Sequence, residues 1–136
     1  MGFDLERVSG STNVRFTGSV ANSIDYFSAM DVFVLASRED PFPLVVLEAA
    51  AQGVPTICFD ATAGGACEFV EDDSGIVVPY LDVAAMADAI TTFGKSESTR
   101  LEAGRRAKEK VVAQHDIESG AARLTRILIS RWRQAS

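Results

Sequence analysis

The chain has 136 residues, 47% of them hydrophobic, and a net charge of −6 at pH 7. This length allows one domain with one core, and the negative charge argues against a groove that binds nucleic acid. The longest apolar runs fall far short of the roughly 20 residues that a membrane-spanning helix needs. Cys58 and Cys67 lack a histidine neighbour and a C-x-x-C spacing, which favours reduced thiols in a cytoplasmic protein. The single histidine, His115, has no evident metal or nucleophile partner and is interpreted as a helix-junction residue.

Short apolar runs alternate with helical patterns along the chain. In chain order, the predicted strands are residues 14–16, 32–35, 56–59 and 76–78. The predicted helices are residues 21–30 after Ser19 or Asn22, residues 44–52, a turn at 67–70, one that Asp82 begins, residues 101–112 after Ser98, and a last one that Asp116 begins. This alternation predicts an α/β fold, a Rossmann-like parallel sheet with helices on both faces. The run 32–35 is wholly apolar, which is typical of a strand covered on both faces.

Two carboxylates, Asp40 and Glu48, follow the run 32–35 with seven residues between them. Asp40 belongs to a polar loop, whereas Glu48 lies one turn inside the predicted helix 44–52. The amide groups that begin this helix carry the positive end of its dipole, which suits a diphosphate. A ribose diol can donate two hydrogen bonds to a carboxylate at the depth of Glu48. The residues therefore predict a nucleotide site at the carboxyl edge of the sheet.

A second loop, residues 64–68, is expected to approach the same cleft because Gly64 and Gly65 have no side chains. A simpler interpretation stays open at this point. Asp40 can be an ordinary loop residue, Glu48 a solvated helix charge and the two glycines a tight turn. Taken alone, these residues favour neither interpretation over the other.

Five blocks of the sequence resemble the nucleotide-sugar-binding domain of retaining GT-B glycosyltransferases of family 4, also called glycosyl transferases group 1. The blocks are residues 31–38, 42–49, 53–55, 64–70 and 74–79. The resemblance covers about residues 13–90, with C-terminal helices over residues 98–135. It implies that residues 1–136 form a single partial donor-binding domain, the incomplete second half of a GT-B fold.

The resemblance also implies a role for each candidate residue. The family signature is two glutamates with seven residues between them, and here Asp40 takes the first place, with Glu39 beside it. The family's roles put the transferred sugar on Asp40, whose side chain is one methylene shorter, and the nucleotide ribose on Glu48. The family usually has glycine where Pro43 stands, and proline has no N–H to donate. The other substrate-binding residues implied are Arg38, Glu39, Phe42, Leu44 and Val45, with Gly64, Gly65 and Glu68 in the nearby loop.

Parts of the family pattern have no counterpart before Val14. They are two strands with an arginine and a lysine that clamp the diphosphate, and an acceptor-binding N-terminal domain that usually supplies a catalytic histidine. The resemblance thus implies the donor-side part of a retaining hexosyltransferase of polysaccharide or glycolipid biosynthesis. Its substrate is a nucleoside-diphosphate sugar, no metal or other cofactor is expected, and the fragment alone is expected to be inactive.

The alternative is a non-catalytic module that keeps the fold for nucleotide or protein binding. Asp40, Pro43 and the absence of the arginine–lysine clamp favour it. A nicotinamide-binding domain is disfavoured, because no G-x-G-x-x-G motif follows any predicted strand.

Two surfaces raise questions of partners. In the strand order 3-2-1-4-5-6 that the family implies, residues 14–16 would be strand 3 and residues 32–35 strand 4, with the strands between them absent. The free flank of residues 32–35 therefore predicts pairing with the N-terminal segment or, as a homodimer, with a second copy of the chain.

The last helix has four arginines and no acid after Glu118. A solvated face explains this better than a face for an acidic membrane or for the missing domain.

Overall fold

A computed structural model describes residues 10–71 and 73–135. Its elements, in chain order, are α1 (Ser23–Ser28), β1 (Phe33–Leu35), α2 (Leu44–Ala51), β2 (Thr56–Phe59), α3 (Ala66–Val70), β3 (Gly75–Val78), α4 (Val83–Lys95), α5 (Glu97–Gln114) and α6 (Ile117–Ala135). The alternation of strands and helices confirms the predicted α/β class.

The strands of the described residues form one parallel sheet in the order β1-β2-β3. Phe33 lies opposite Thr56, and Ile57 lies opposite Ile76. All residues of the central strand β2 are buried. Parallel neighbours need a crossover, and α2 and α3 supply these connections. The sheet therefore has the Rossmann-like alternation of parallel strands and connecting helices that the sequence predicts.

The predicted strand at residues 14–16 is wrong. These residues belong to no ladder, and Val14 and Phe16 are 45% and 58% exposed. So short a segment cannot hold a strand conformation without a neighbour that pairs its backbone groups. The predicted pairing of this segment with β1 is wrong as well, since within the described ranges only β2 pairs with β1. Residues 1–9 lie outside the described part, so pairing by them is not addressed.

Strand β1 is also less covered than an all-apolar run suggests. Val34 is 36% exposed, and Phe33 and Leu35 are half-buried. The expectation of a strand covered on both faces is therefore wrong at Val34.

Helix boundaries follow the side chains that cap them. Helix α1 is shorter than the predicted 21–30, because Asn22 is its N-cap and its Oδ1 accepts a first-turn amide hydrogen at 3.3 Å. Ser19 takes no part in this cap. Helix α5 begins earlier than expected, because Ser96 and not Ser98 is its N-cap.

Two other predicted caps are confirmed. Asp82 Oδ1 accepts the amide hydrogen of Ala85 at 2.9 Å at the start of α4. Asp116 Oδ2 accepts the amide hydrogen of Ser119 at 2.8 Å at the start of α6. Both carboxylates lie at the positive end of a helix dipole. The amide of Ser119 holds the pKa of the Asp116 carboxyl below its usual value.

The core has two main parts, one on each face of the sheet, and a smaller cluster of Phe27, Ala49 and Val54. Helices α2, α3 and α5 cover one face around Val46, Phe69 and Val111. Helix α4 covers the other face, where Phe93 packs against Ile57. Side chains alternate between the faces along each strand, so β2 contributes to both parts.

Two glycines bring α5 close to α2. A Cβ at Gly104 would lie 2.0 Å from the carbonyl oxygen of Gly53, which itself has φ +77° in the turn that ends α2. No other residue allows this approach without a shift of backbone. The contact sets how the C-terminal end of α5 lies beside the N-terminal half of α2.

The side chains described in helix α6 belong to none of the core clusters. Every side chain described in it is exposed, including Ile117 at 84% and Leu128 at 60%. Within the described residues, no helix is both long enough and apolar enough to cross a membrane.

Candidate functional site

Two loops lie side by side at the carboxyl edge of the sheet. They are the β1–α2 loop, residues 36–43, and the β2–α3 loop, residues 60–65. They leave the same edge because β1 and β2 are parallel neighbours. This is the edge at which the sequence predicts the site.

Backbone hydrogen bonds join the two loops. The amide of Asp40 donates to the carbonyl of Ala63 at 2.8 Å, and the amide of Gly65 donates to the carbonyl of Pro41 at 2.9 Å. Asp40 and Gly64 also form an isolated parallel bridge. The structure thus brings Asp40, Gly64 and Gly65 together, as the sequence predicts.

The two glycines are required for this contact. A Cβ at Gly64 would lie 1.8 Å from the carbonyl oxygen of Asp40, and one at Gly65 would lie 2.4 Å from that of Pro41. Gly64 also has φ +137°, which L side chains rarely adopt. The small residues let one loop rest against the backbone of the other.

The N-terminus of α2 is open. Pro43 is its N-cap and makes no side-chain cap hydrogen bond. Leu44 and Val45, the first residues of the helix, are 67% and 38% exposed. The amide of Val46 donates to the Pro43 carbonyl at 3.1 Å, whereas the first two amides, those of Leu44 and Val45, have no partner within the helix. These two amides form the positive end of α2 beside the two loops. Pro43 is buried and has no N–H, so it removes one donor at this position.

Glu48 is exposed and lies three and four residues after Val45 and Leu44. This spacing puts the three on one side of the helix. Glu48 also lines an open groove of about 410 Å³ between α2 and the junction of α5 with α6, which His115 and Ile117 line too. Its carboxylate makes no hydrogen bond or ion pair with residues 10–71 and 73–135, so in this part of the chain its oxygens can accept hydrogen bonds from a bound molecule.

The remaining charged candidates surround the loops. Arg38 and Glu39 are exposed, Asp40 is half-buried, and Glu68 is exposed in the first turn of α3. In residues 10–71 and 73–135, none of these four groups makes an ion pair. Within the described ranges, these four side chains therefore remain available to pair with a charged ligand. Arg38, Glu39 and Asp40 lie in the β1–α2 loop, and Glu68 lies in the helix that follows the β2–α3 loop.

Asp60, at the end of β2, accepts hydrogen bonds from two backbone amides at this edge of the sheet. Its Oδ1 accepts the amide hydrogen of Thr62 at 2.9 Å and its Oδ2 that of Tyr80 at 3.2 Å. These amides, Thr62 first, hold the pKa of the Asp60 carboxyl below its usual value. Asp60 ties the β2–α3 loop to the segment after β3. The sequence shows it only as a loop residue.

His115 is the residue at this site that sequence reasoning missed. The structure confirms that it lies at a helix junction, as the C-cap of α5. Its ring contacts those of Phe42 and Phe69, with centroid distances of 5.9 and 5.6 Å. Lys110 Nζ lies over the ring of Phe69, 5.3 Å from its centroid. No local pattern signals this contact, because Phe42 is far away in the sequence.

The thiols and carboxylates form no metal centre in the part that the structure describes, where no group of three or more histidine, cysteine or acidic residues could hold an ion. Cys58 and Cys67 are both free and buried. Burial, with Cys67 as the next cause, raises the pKa of the Cys58 thiol to about 12.

Comparison with known proteins shows the family of the chain. The family described as glycosyl transferases group 1 matches residues 3–95. Among curated proteins, the lipopolysaccharide core biosynthesis glycosyltransferase LpsE of Rhizobium meliloti (strain 1021) is 30% identical over 122 residues. That alignment covers 89% of this chain and 35% of LpsE. The chain thus spans about a third of the length of this relative.

Solved structures give the same fold. Sucrose-phosphate synthase from Thermosynechococcus elongatus matches with a TM-score of 0.85 at 29% identity, over 97% of this chain and 33% of that one. Anabaena HepE, solved in complex with UDP, matches with a TM-score of 0.85 at 23% identity, over 93% and 35%. The family match, the curated relative and the shared GT-B architecture agree, and the chain belongs to the glycosyl transferases group 1 family.

Proposed function

We propose that this chain is the donor-side part of a longer glycosyltransferase, which transfers a sugar from a nucleoside-diphosphate sugar with retention of configuration. Polysaccharide or glycolipid biosynthesis is the setting that the relative's name supports. The observation that carries the proposal is the open N-terminus of α2 at the carboxyl edge of the sheet. Asp40 stands just before it and Glu48 one turn inside it.

In this proposal the donor diphosphate lies against the amides of Leu44 and Val45. Oriented N–H groups at a helix N-terminus bind phosphate oxygens and need no reorganisation during the reaction. As the sugar bond breaks, negative charge grows on the leaving diphosphate, and the same amides stabilise it. Pro43 contributes no donor, so these two amides and the side chain of Arg38 are the groups available here.

Glu48 is the proposed ribose anchor and Asp40 the proposed contact of the transferred sugar. Glu48 faces the open groove beside the helix start, where two hydroxyl groups can reach its oxygens. Asp40 lies against Gly64 in the junction of the two loops. Phe42 and Glu39 flank it, and Gly65 and Glu68 complete the opposite wall. We propose that the reaction needs no metal or other cofactor.

The rest of the enzyme is part of the proposal. The chain spans 35% of LpsE, and we propose that residues 1–136 are one partial donor-binding domain joined to an acceptor-binding domain. Closure of two domains would exclude water and strengthen each charge interaction in the cleft. The isolated chain is therefore expected to be inactive, with a nucleoside-diphosphate Kd no better than roughly 1 mM, about −4 kcal/mol. Micromolar binding would contradict this dependence on the rest of the enzyme.

Two isosteric variants in the longer enzyme test the division of roles. Glu48→Gln removes a charged acceptor, and calorimetry should show a loss of about 1–3 kcal/mol in affinity for a bare nucleoside diphosphate. Asp40→Asn should slow sugar transfer and leave that affinity nearly intact. Unchanged affinity in Glu48→Gln contradicts the ribose assignment. If Asp40→Asn lowers both quantities by the same factor, Asp40 is structural and Glu39 becomes the candidate.

A non-catalytic binding module remains the second candidate. The buried Pro43, which cannot donate, and the shortened carboxylate at Asp40 favour it. Turnover of any nucleoside-diphosphate sugar by the longer protein excludes this candidate. A reading frame that stops immediately upstream, with no glycine–arginine and lysine blocks, would support it.

A further inference from the structure

We propose that His115 is a positioning residue for the donor site, which holds Phe42 and, through it, the open N-terminus of α2. This inference rests on the proposed function, since it deepens the account of the same site. His115 has no assigned role, and no local sequence pattern links it to the β1–α2 loop.

The β1–α2 loop needs support on two sides. On one side the β2–α3 loop holds its backbone, through the Asp40 amide at 2.8 Å from the Ala63 carbonyl oxygen. These bonds end at Pro41. Phe42 comes next, directly before the N-cap Pro43, and its side chain is 40% exposed. Its position therefore depends on what its ring contacts.

Two contacts are found in the described part of the chain: Gly65, where an added Cβ would lie 3.2 Å from Phe42 Cδ2, and the ring of His115, which is the larger side chain. The His115 ring lies 5.9 Å from the Phe42 ring, centroid to centroid, with an interplanar angle of 32°. It also meets Phe69 edge-on, at 5.6 Å and 63°. Phe69 is 3% exposed and belongs to the core. The His115 ring thus connects an exposed loop ring to a buried one.

The backbone of His115 and the residue Phe69 behind it are both held in place. The His115 amide donates to the Val111 carbonyl at 2.9 Å, which fixes its backbone as the last turn of α5. Lys110 Nζ donates to the Phe69 carbonyl at 2.7 Å and lies over the Phe69 ring. Because the His115 backbone and Phe69 are both held by hydrogen bonds, the His115 ring limits the positions that the Phe42 ring can take. This differs from a catalytic role, because His115 acts on the donor only through Phe42.

The expected size of the effect follows from the contact. Aromatic pairs of this geometry favour their closed arrangement by roughly threefold to tenfold. Loss of the His115 ring should therefore raise the open fraction of the β1–α2 loop by about that factor. Donor affinity should fall by a similar factor, because the amides of Leu44 and Val45 would have to be positioned on binding.

The first arm of the test needs no donor. Amide hydrogen exchange is measured for Asp40 and Gly65, whose N–H groups bridge the two loops, in the unchanged protein, His115→Ala and His115→Phe. Gln114→Ala is the matched control, one residue earlier on the same exposed helix end. In His115→Ala, protection of these two amides should fall about threefold to tenfold while that of Ile57 in β2 stays constant. His115→Phe keeps a ring and should restore protection.

The second arm measures the Kd of UDP by NMR titration in the same variants. His115→Ala should weaken binding by the same factor, and His115→Phe and Gln114→Ala should not. Equal protection in all variants overturns the proposal, and so does a His115→Phe that is as impaired as His115→Ala. A uniform loss that includes Ile57 means global destabilisation and also overturns it. If the longer enzyme with an unchanged sequence binds neither UDP nor GDP, the proposed function fails, and the exchange arm still decides whether His115 positions the loop.

Discussion

At the scale of single residues, Gly64 decides whether the two loops of the site can meet. Its added Cβ would lie 1.8 Å from the Asp40 carbonyl oxygen, and its φ is +137°. We expect Gly64→Ala to lower the free energy of unfolding by about 1–3 kcal/mol, from backbone strain and the displaced loop. Urea unfolding measures this change.

Gly94→Ala is the matched control for this prediction. Gly94 lies in α4 with nothing within 4 Å of the added Cβ. Alanine is the better helix former, so this variant should gain about 0.5–1 kcal/mol. If the two variants lose stability equally, close approach at Gly64 is not what constrains the site.

Burial also decides the chemistry of the two cysteines. It raises the pKa of Cys58 to about 12, and it raises that of Cys67, with Glu71 as the next cause. A thiol of raised pKa carries little thiolate at pH 8, and thiolate is the reactive form. We expect neither cysteine of the folded chain to react with a disulfide reagent at that pH, and both to react in denaturant. Fast labelling of the folded chain would contradict the packing of Cys58 in the core.

Some residues of the site could be predicted because short sequence patterns mark them, and others could not. The spacing of Asp40 and Glu48 and the Gly64–Gly65 pair could be predicted, because each lies in a short segment at one sheet edge. His115 could not, because its contact with Phe42 depends on how α5 lies along α2. That placement follows from the close approach of Gly104 to Gly53, which no local pattern encodes.

At the scale of elements, helices with one cap candidate were predictable and those with several were not. Asp82 and Asp116 each cap the helix expected of them. Before α5, Ser96 and Ser98 compete. Ser96 Oγ also lies 2.7 Å from Thr99 Oγ1, a contact that adds to its cap. The strand at residues 14–16 failed for a different reason, since a strand depends on a neighbour that local sequence does not name.

We expect the fold to tolerate the loss of helix α6. None of its described side chains is buried, and its exposed apolar residues include Leu124 and Leu128 at 58% and 60%. Four arginines follow Glu118 with no acid among them. We expect a chain that ends at Asp116 to melt within about 4 °C of the full chain, because less than about 1 kcal/mol of packing is lost. A larger fall in Tm by calorimetry would show that α6 stabilises the sheet.

At the scale of the whole molecule, the outer edge of β1 is the feature that leaves the sheet incomplete. Only β2 pairs with β1 in the described ranges, and residues 14–16 do not cover the other side. Pairing with a second copy of the chain therefore stays a prediction. A two-fold axis would set the two β1 strands antiparallel and join both sheets into one.

We expect sedimentation to show a monomer–dimer equilibrium at sub-millimolar concentration. Val34→Lys should shift it towards monomer, because Val34 is 36% exposed on this edge strand and a lysine there opposes strand-to-strand association. Val83→Lys adds the same charge at the start of α4, where the residue is 77% exposed and remote from the edge, and should leave the equilibrium unchanged. A chain that stays monomeric throughout contradicts the dimer. If Val34→Lys dimerises as well as the unchanged chain, the association uses another surface, and the exposed apolar side of α6 is the next to change.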